Sequence, residues 1–281
     1  APTRELAVQI GDSLKTYGRN LRLSRAVILG GVGQGPQIKA MARGVDILIA
    51  TPGRLLDLAN QGHVRLDSVE TLILDEADRM LDMGFVRDVK KIIALLPKRR
   101  QSLLFSATMP KSVEALAGEI LHQPARVEVT PKVVTVERIE QKLYPVNQKD
   151  KRALLASLLQ DPELARVIVF TRTKHGANRL AGQLEKGGFT TEAIHGNKSQ
   201  NARQKALQAF RSGEVRVLVA TDVAARGIHV DAVSTVVHFD PPADHKDYVH
   251  RSGRTARAGA GGVVVSIVTP RRCIEEFSRS I

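Results

Sequence analysis

Leu72, Ile73 and Leu74 run directly into Asp75, Glu76, Ala77 and Asp78. Three apolar residues followed at once by acids place carboxylates at the carboxyl end of a buried parallel strand, where open α/β sheets bind ligands. There one acid can hold Mg2+ through water, and its neighbour can take the proton from a water attacking a phosphate. A strand that merely ends in solvated acids has the same sequence. A second apolar stretch, Leu103-Leu104-Phe105, ends in Ser106-Ala107-Thr108, whose hydroxyls can bond the acids of the neighbouring strand or act as ordinary caps. Near the end, residues 248–259 carry Arg251, Arg254 and Arg257 at a spacing of three, with Gly253 and Gly259. Guanidinium forks on a glycine-containing loop or helix start can grip an anion bidentately. A solvated basic stretch or a non-specific nucleic-acid patch fits the same residues.

The elements that must position these groups follow from apolar periodicity. Strand-length runs alternate with helical stretches, the pattern of parallel sheets covered by helices on both faces. The first half has 25–29, 45–50, 71–74 and 103–105, and the second has 167–170, 215–220, 233–239 and 263–268. Lys174 to Lys186 reads as a helix stopped by Gly187-Gly188, and Ser199 as the cap of a helix running to Arg211 before Gly213. Between the halves, Val127 to Val136 is β-branched around Pro131 and reads as an extended connector. The expected architecture is two α/β domains, 1–131 and 132–281.

Composition narrows the class. The chain has 281 residues, 43% hydrophobic and 25% charged, with no apolar run long enough to cross a bilayer. Its single cysteine, Cys273, can form no internal disulfide, so a reducing, cytoplasmic setting is expected. The net charge of +13 favours a polyanionic partner, although a ribosomal protein, a membrane-surface protein or a basic enzyme would share it. With 4% aromatic residues and no Trp, recognition through a nucleic-acid backbone is favoured over base stacking.

In this order and at these spacings, the stretches resemble the DEAD-box family of superfamily 2 helicases, from residue 1 almost to the end. Pro2-Thr3-Arg4-Glu5-Leu6-Ala7 looks like motif Ia, Gly30-Gly31 the GG doublet, and Thr51-Pro52-Gly53-Arg54 motif Ib. Asp75 to Asp78 is similar to motif II and Ser106 to Thr108 to motif III. Val167 to Thr171 looks like motif IV, Gln200 with Arg203 the QxxR element, Ala220 to Ile228 motif V, and His250 to Gly259 motif VI. Compact spacing without insertions resembles bacterial members.

The resemblance implies two RecA-like domains with mainly parallel sheets that close on ATP and Mg2+. It implies that Asp75 anchors the metal and Glu76 serves as base, with Arg254 and Arg257 as arginine fingers. Asp78, Ser106, Thr108, Asp222, Gly227, His250 and Arg251 would line the nucleotide site, Asp222 near the ribose. RNA would be held through its sugar-phosphate backbone by Pro2, Thr3, Arg4, Gly30, Gly31, Thr51 and Arg54. From the second domain Arg172, Gln200, Arg203, Thr221 and Gly227 would join them. The implied activity is ATP-driven local separation of RNA duplexes or remodelling of ribonucleoproteins.

Ser252 stands where the family usually has a branched apolar residue, and His229 where it usually has an acid. His195 fits a family strand end and is expected to be structural. No G-x-x-x-x-G-K-[ST] occurs in the 281 residues, so the amides and lysine that would cradle phosphates are missing. In the family that loop and the adenine-reading Q motif lie just upstream of motif Ia. The first domain is therefore expected to be N-terminally truncated, with a strand missing from its sheet, while the second folds alone. A nucleotide-independent RNA-binding module is the alternative for this chain, and a DNA-directed superfamily 2 translocase is a third.

Overall fold

The computed structural model describes residues 1–129, 139–222, 230, 233–256 and 261–269. They fall into two compact units, the first Ala1–Glu128 and the second beginning at Val129. The expected domain boundary and most of the expected connector lie outside the described residues. Val127 and Val129, at the connector's start, are exposed and belong to no helix or strand.

The first unit runs α1 (Arg4–Tyr17), β1 (Arg25–Ile28), α2 (Gly35–Met41), β2 (Ile47–Ala50), α3 (Pro52–Asn60), β3 (Thr71–Leu74), α4 (Ala77–Asp82), α5 (Val86–Ala94), β4 (Gln101–Leu104) and α6 (Lys111–Ile120). The hydroxyl of Thr3 accepts from the Leu6 amide and starts α1. Pro52 sits in the first turn of α3, where its missing N–H costs nothing.

Among the described residues the strands of this unit form two separate parallel pairs, β1 with β2 and β3 with β4. β1 and β2 are covered on both faces: Ile28 packs with Leu56 and Leu58 of α3 on one side, and Leu29 and Ile49 pack with Ala7 of α1 on the other. β3 and β4 are not. Leu72 and Leu74 face a core of Met80, Val89, Leu116 and Ile120. The other face presents Ile73, paired in register with Leu103, and Ile73 and Phe105 are 56% and 52% exposed. The expectation of helices on both faces therefore fails at this pair. One face of an apolar parallel pair is left bare, because two strands alone bring no second layer with them.

The second unit contains β5 (Ile139–Pro145), α7 (Lys151–Leu158), β6 (Val167–Phe170), α8 (Lys174–Lys186), β7 (Thr191–Ile194), α9 (Gln200–Ser212), β8 (Val217–Ala220), β9 (Thr235–His238), α10 (His245–Ser252) and β10 (Gly262–Val268). One six-stranded sheet in the order β5-β10-β9-β6-β8-β7 is parallel throughout. Its central strands β6, β8 and β9 are buried along their whole length. One core packs Ile168, Phe170 and Leu218 against Phe210 of α9, and the other packs Val167, Val169 and Val219 against Leu180 and Leu184 of α8. Thr173 and Ser199 cap α8 and α9 through their hydroxyls, and Gly213 ends α9 at φ +83. No helix among the described residues is long and apolar enough to cross a membrane.

Candidate nucleotide and nucleic-acid sites

The acids sit where β3 ends. The Phe105 amide donates to the Leu74 carbonyl and the Ala77 amide to the Phe105 carbonyl, so the strand ends of β3 and β4 are tied before the acidic turn. Asp75 Oδ1 accepts from the Glu76 amide at 3.0 Å. Glu76 has φ 51 and ψ 54, a left-handed conformation that costs a non-glycine residue about 1 kcal/mol or more and collects at functional turns. Asp75 and Glu76 are both half-buried.

Asp78 is 3% exposed. One carboxylate oxygen accepts from the Thr108 amide and hydroxyl at 3.0 and 2.7 Å, and the other from the Arg79 amide at 2.9 Å. Ser106 accepts from the Asp78 amide at 3.1 Å and donates to the Thr108 carbonyl at 2.7 Å. Burial raises the Asp78 pKa, but these hydrogen bonds, led by the Thr108 hydroxyl, outweigh it and hold the carboxyl below its ordinary value. The structure thus brings Asp78, Ser106 and Thr108 together and turns all three toward one another.

Among the described residues no cluster of three or more His, Cys, Asp or Glu could cage a metal. Mg2+ is commonly held by one or two carboxylates with water and substrate phosphates, and Asp75 and Glu76, both half-buried at the strand end, are carboxylates of that kind.

A second cluster in the first unit gathers Thr3, Arg4, Gly30, Gly31, Thr51 and Arg54. Arg4 lies against the glycine doublet: a β-carbon at Gly31, which has φ +77, would overlap its guanidinium, and one at Gly30 would lie 3.5 Å from Nη2. Arg54 donates to the Val32 carbonyl through both terminal nitrogens at 3.2 and 3.3 Å. Pro2, Thr3 and Thr51 are buried, and the Thr51 amide donates to the Ile28 carbonyl. Sequence reasoning missed Gln37. Its buried amide accepts from the Leu29 amide at 2.9 Å and donates to the Leu29 and Gly33 carbonyls, clamping the loop that carries the doublet.

In the second unit Arg172 is exposed at the end of β6, while Gln200, Arg203 and Thr221 are buried. His195 is buried at the end of β7, bonded to Asn178 at 2.8 Å and accepting from the Asn197 amide, as a structural histidine would be. Burial first, then the positive charges of Lys198, Lys174 and Arg203, hold it below the ordinary imidazole pKa. Those cations crowd one end of the sheet and favour an anion there.

Motif VI falls on α10 and the turn after it. Arg251, 3% exposed, donates to both Asp222 oxygens at 2.6 and 2.7 Å and to the Asp240 carbonyl at 2.7 Å. It also lies over the Phe170 ring at 5.0 Å. Arg251 and Asp222 thus brace one another, and the Asp222 side chain stays partly exposed. His250 is half-buried, and its carbonyl accepts from Arg254 Nε at 3.1 Å. Ser252 is buried. Arg257, Gly227 and His229 lie outside the described residues.

Comparison with known proteins places these features in a family. Residues 1–116 match the DEAD/DEAH box helicase model and residues 150–259 the helicase conserved C-terminal domain model. The DEAD-box ATP-dependent RNA helicase CshA of Bacillus subtilis is 44% identical over an alignment of 286 residues that covers 99% of this chain and 58% of that protein. CshA of Geobacillus kaustophilus is 45% identical over 273 residues, covering 96% and 58%. The chain spans a little over half the length of these curated relatives. Among solved structures, Saccharomyces cerevisiae Dbp5 bound to RNA and ADP BeF3 matches with a TM-score of 0.84 and 32% identity, over 95% of this chain and 70% of that one. A DEAD box protein from Methanococcus jannaschii matches at 39% identity and a TM-score of 0.51, over 96% and 73%. With both family models matched in order and the acidic turn wired to Ser106 and Thr108, the chain belongs to the DEAD-box helicase family.

Proposed function

We propose that the protein is an ATP-dependent RNA helicase, coupling ATP hydrolysis to local separation of RNA duplexes or remodelling of ribonucleoproteins. The observation that carries the reading is the acidic turn: Asp75 and half-buried Glu76 at a tied strand end, with Asp78 committed to Ser106 and Thr108. Asp75 would hold Mg2+, which when bound neutralises phosphate charge. Glu76 accepts the proton of the water that attacks the γ-phosphorus as the bond to the β-phosphate oxygen breaks. Arg254 and Arg257 offset the charge that develops on the transferring group, a contribution of about 10³ to 10⁵ in rate in related chemistry. The acids belong to the first unit and the arginines to the second.

RNA is held through its backbone by Arg4 and Arg54 beside the Gly30-Gly31 loop, and by Arg172, Gln200, Arg203 and Thr221 in the second unit. Such contacts are blind to sequence. The site's chemistry suits a cytoplasmic, RNA-directed enzyme, as the cysteine count and charge suggest.

The 281 residues contain no phosphate-cradling glycine-rich loop, which favours a second reading for this chain alone, a nucleotide-independent RNA-binding module. ATPase rates with and without single-stranded RNA separate the two. The measurement is made on the 281-residue chain and on the protein translated from its whole coding sequence. We expect no turnover from the 281 residues alone and RNA-stimulated turnover from any coding-sequence product that also carries a phosphate-cradling loop. Hydrolysis by the 281 residues would remove the need for the loop, and silence from both would leave the binding module.

A further inference from the structure

The turn that follows α10 carries Arg254, Thr255 and Ala256. Ala256 has φ +55, a left-handed conformation that an alanine does not choose by itself. Two residues hold it there. Thr255 is buried, and its hydroxyl donates to the Val233 carbonyl at 2.6 Å, with the Ser234 carbonyl at 3.2 Å as a second acceptor. Gly262, the first residue of β10, leaves the room: a β-carbon there would overlap the Thr255 hydroxyl and lie 2.7 Å from the Ala256 amide nitrogen and 2.8 Å from Thr255 Cγ2.

One obstacle is backbone, which no rotamer change can move aside. β10 cannot yield either, since it is hydrogen-bonded to β5 on one side and β9 on the other, with Gly262 opposite Ile139. An added methyl group must therefore displace the turn.

We propose that Thr255 and Gly262 are positioning residues that clamp the turn carrying Arg254 against β10 and the residues leading into β9, and so aim Arg254 during hydrolysis. The inference rests on the reading in which Arg254 acts on the nucleotide. Gly262 lies beyond the arginine motif and touches no reacting group. Its part is to let Thr255 reach the Val233 carbonyl, which keeps Ala256 in a conformation a free turn would leave. A shift of about 1 Å in a group that acts on the transition state can cost about 10²-fold in rate.

The test compares Gly262→Ala, Thr255→Val and Thr255→Ser in the protein translated from its whole coding sequence. Amide hydrogen exchange across residues 253–263 is read beside steady-state ATPase. We expect Gly262→Ala and Thr255→Val to speed exchange in that stretch while β6 and β8 stay protected. Both should lower kcat by about 10²-fold with KM for ATP and RNA affinity little changed, and Thr255→Ser, which keeps the hydroxyl, should behave as the parent. Unchanged exchange in both disruptive variants overturns the clamp. Faster exchange with unchanged kcat overturns its part in hydrolysis. Should Gly262→Ala fail to fold, Thr255→Val against Thr255→Ser decides by the same criteria. A parent without ATPase would sink the hydrolysis reading, while exchange would still decide the clamp.

Discussion

Asp78 illustrates how one residue of the motif differs from its neighbours in task. Its carboxylate receives the Thr108 hydroxyl and two backbone amides, and its pKa is lowered despite burial. A carboxyl held below its unfolded value contributes stability that is present above the ordinary carboxylate pKa and lost as pH falls through the depressed one. Thr108→Val removes the strongest hydrogen bond, so the Asp78 titration should move upward, as read by carboxyl NMR. An unmoved titration would mean that the backbone amides alone hold the charge. His238 is the opposite case. It is fully buried beside Ser266, and burial, with a smaller push from Arg251, lowers its pKa to about 3. The unfolded chain takes up a proton below about pH 6.5 that the folded one refuses, so stability is complete above that pH and falls as pH drops toward 3. Between pH 7 and pH 5 the loss from this residue is about 2 kcal/mol. Denaturant unfolding of the second unit should show it, and His238→Asn should remove about 2 kcal/mol of the stability change between pH 7 and pH 5; an equal change in both would assign the loss elsewhere. The placement of Asp75 and Glu76 at the end of β3 was legible because they stand at a break in an apolar run. Gln37 and Gly262 were not, since an amide in a short helix and a glycine opening a strand look ordinary until the atoms they accommodate are placed.

At the scale of elements, apolar runs predicted the buried strands well and the edges poorly. Val167–Phe170 and Thr71–Leu74 appear as expected, and Lys174–Lys186 is a helix with the expected glycine stop. β5 and β7, the two edges of the second sheet, were missed. Ile139–Pro145 mixes Glu140, Gln141 and Lys142 into its run, and Thr191–Ile194 has one acid among four residues; edges carry such polar residues because one side faces water. The same rule separates the two units. β6, β8 and β9 are central and wholly buried, whereas among the described residues β3 and β4 pair only with each other and expose Ile73 and Phe105. Two-stranded sheets are marginal by themselves. In native-state hydrogen exchange of the 281-residue chain, amides of β3 and β4 should exchange by local opening well before those of β6, β8 and β9. Equal protection would require a cover on the Ile73 face that the described residues do not supply.

Charge is a property of the whole molecule, and its salt dependence can distinguish backbone binding from base reading by measurement. For the RNA partner proposed above, a net charge of +13 with 4% aromatic residues predicts phosphate neutralisation as the main source of affinity. Each phosphate neutralised on a single strand should contribute about −0.7 to the slope of log K against log salt. Arg172 and Lys174 are exposed at the end of β6 and the start of α8, with Lys198 and Arg203 close to the same end of the sheet. Replacing Arg172 or Lys174 by Ala should make the slope shallower by about 0.7 each, and should weaken binding to homopolymers of different base to the same degree. Fluorescence anisotropy across a salt series measures both quantities. A slope unchanged by either substitution would move the RNA track away from this end of the second sheet. A loss confined to one base would mean that these side chains read bases, which the scarcity of aromatic residues and the glycine-lined, arginine-covered loops both argue against.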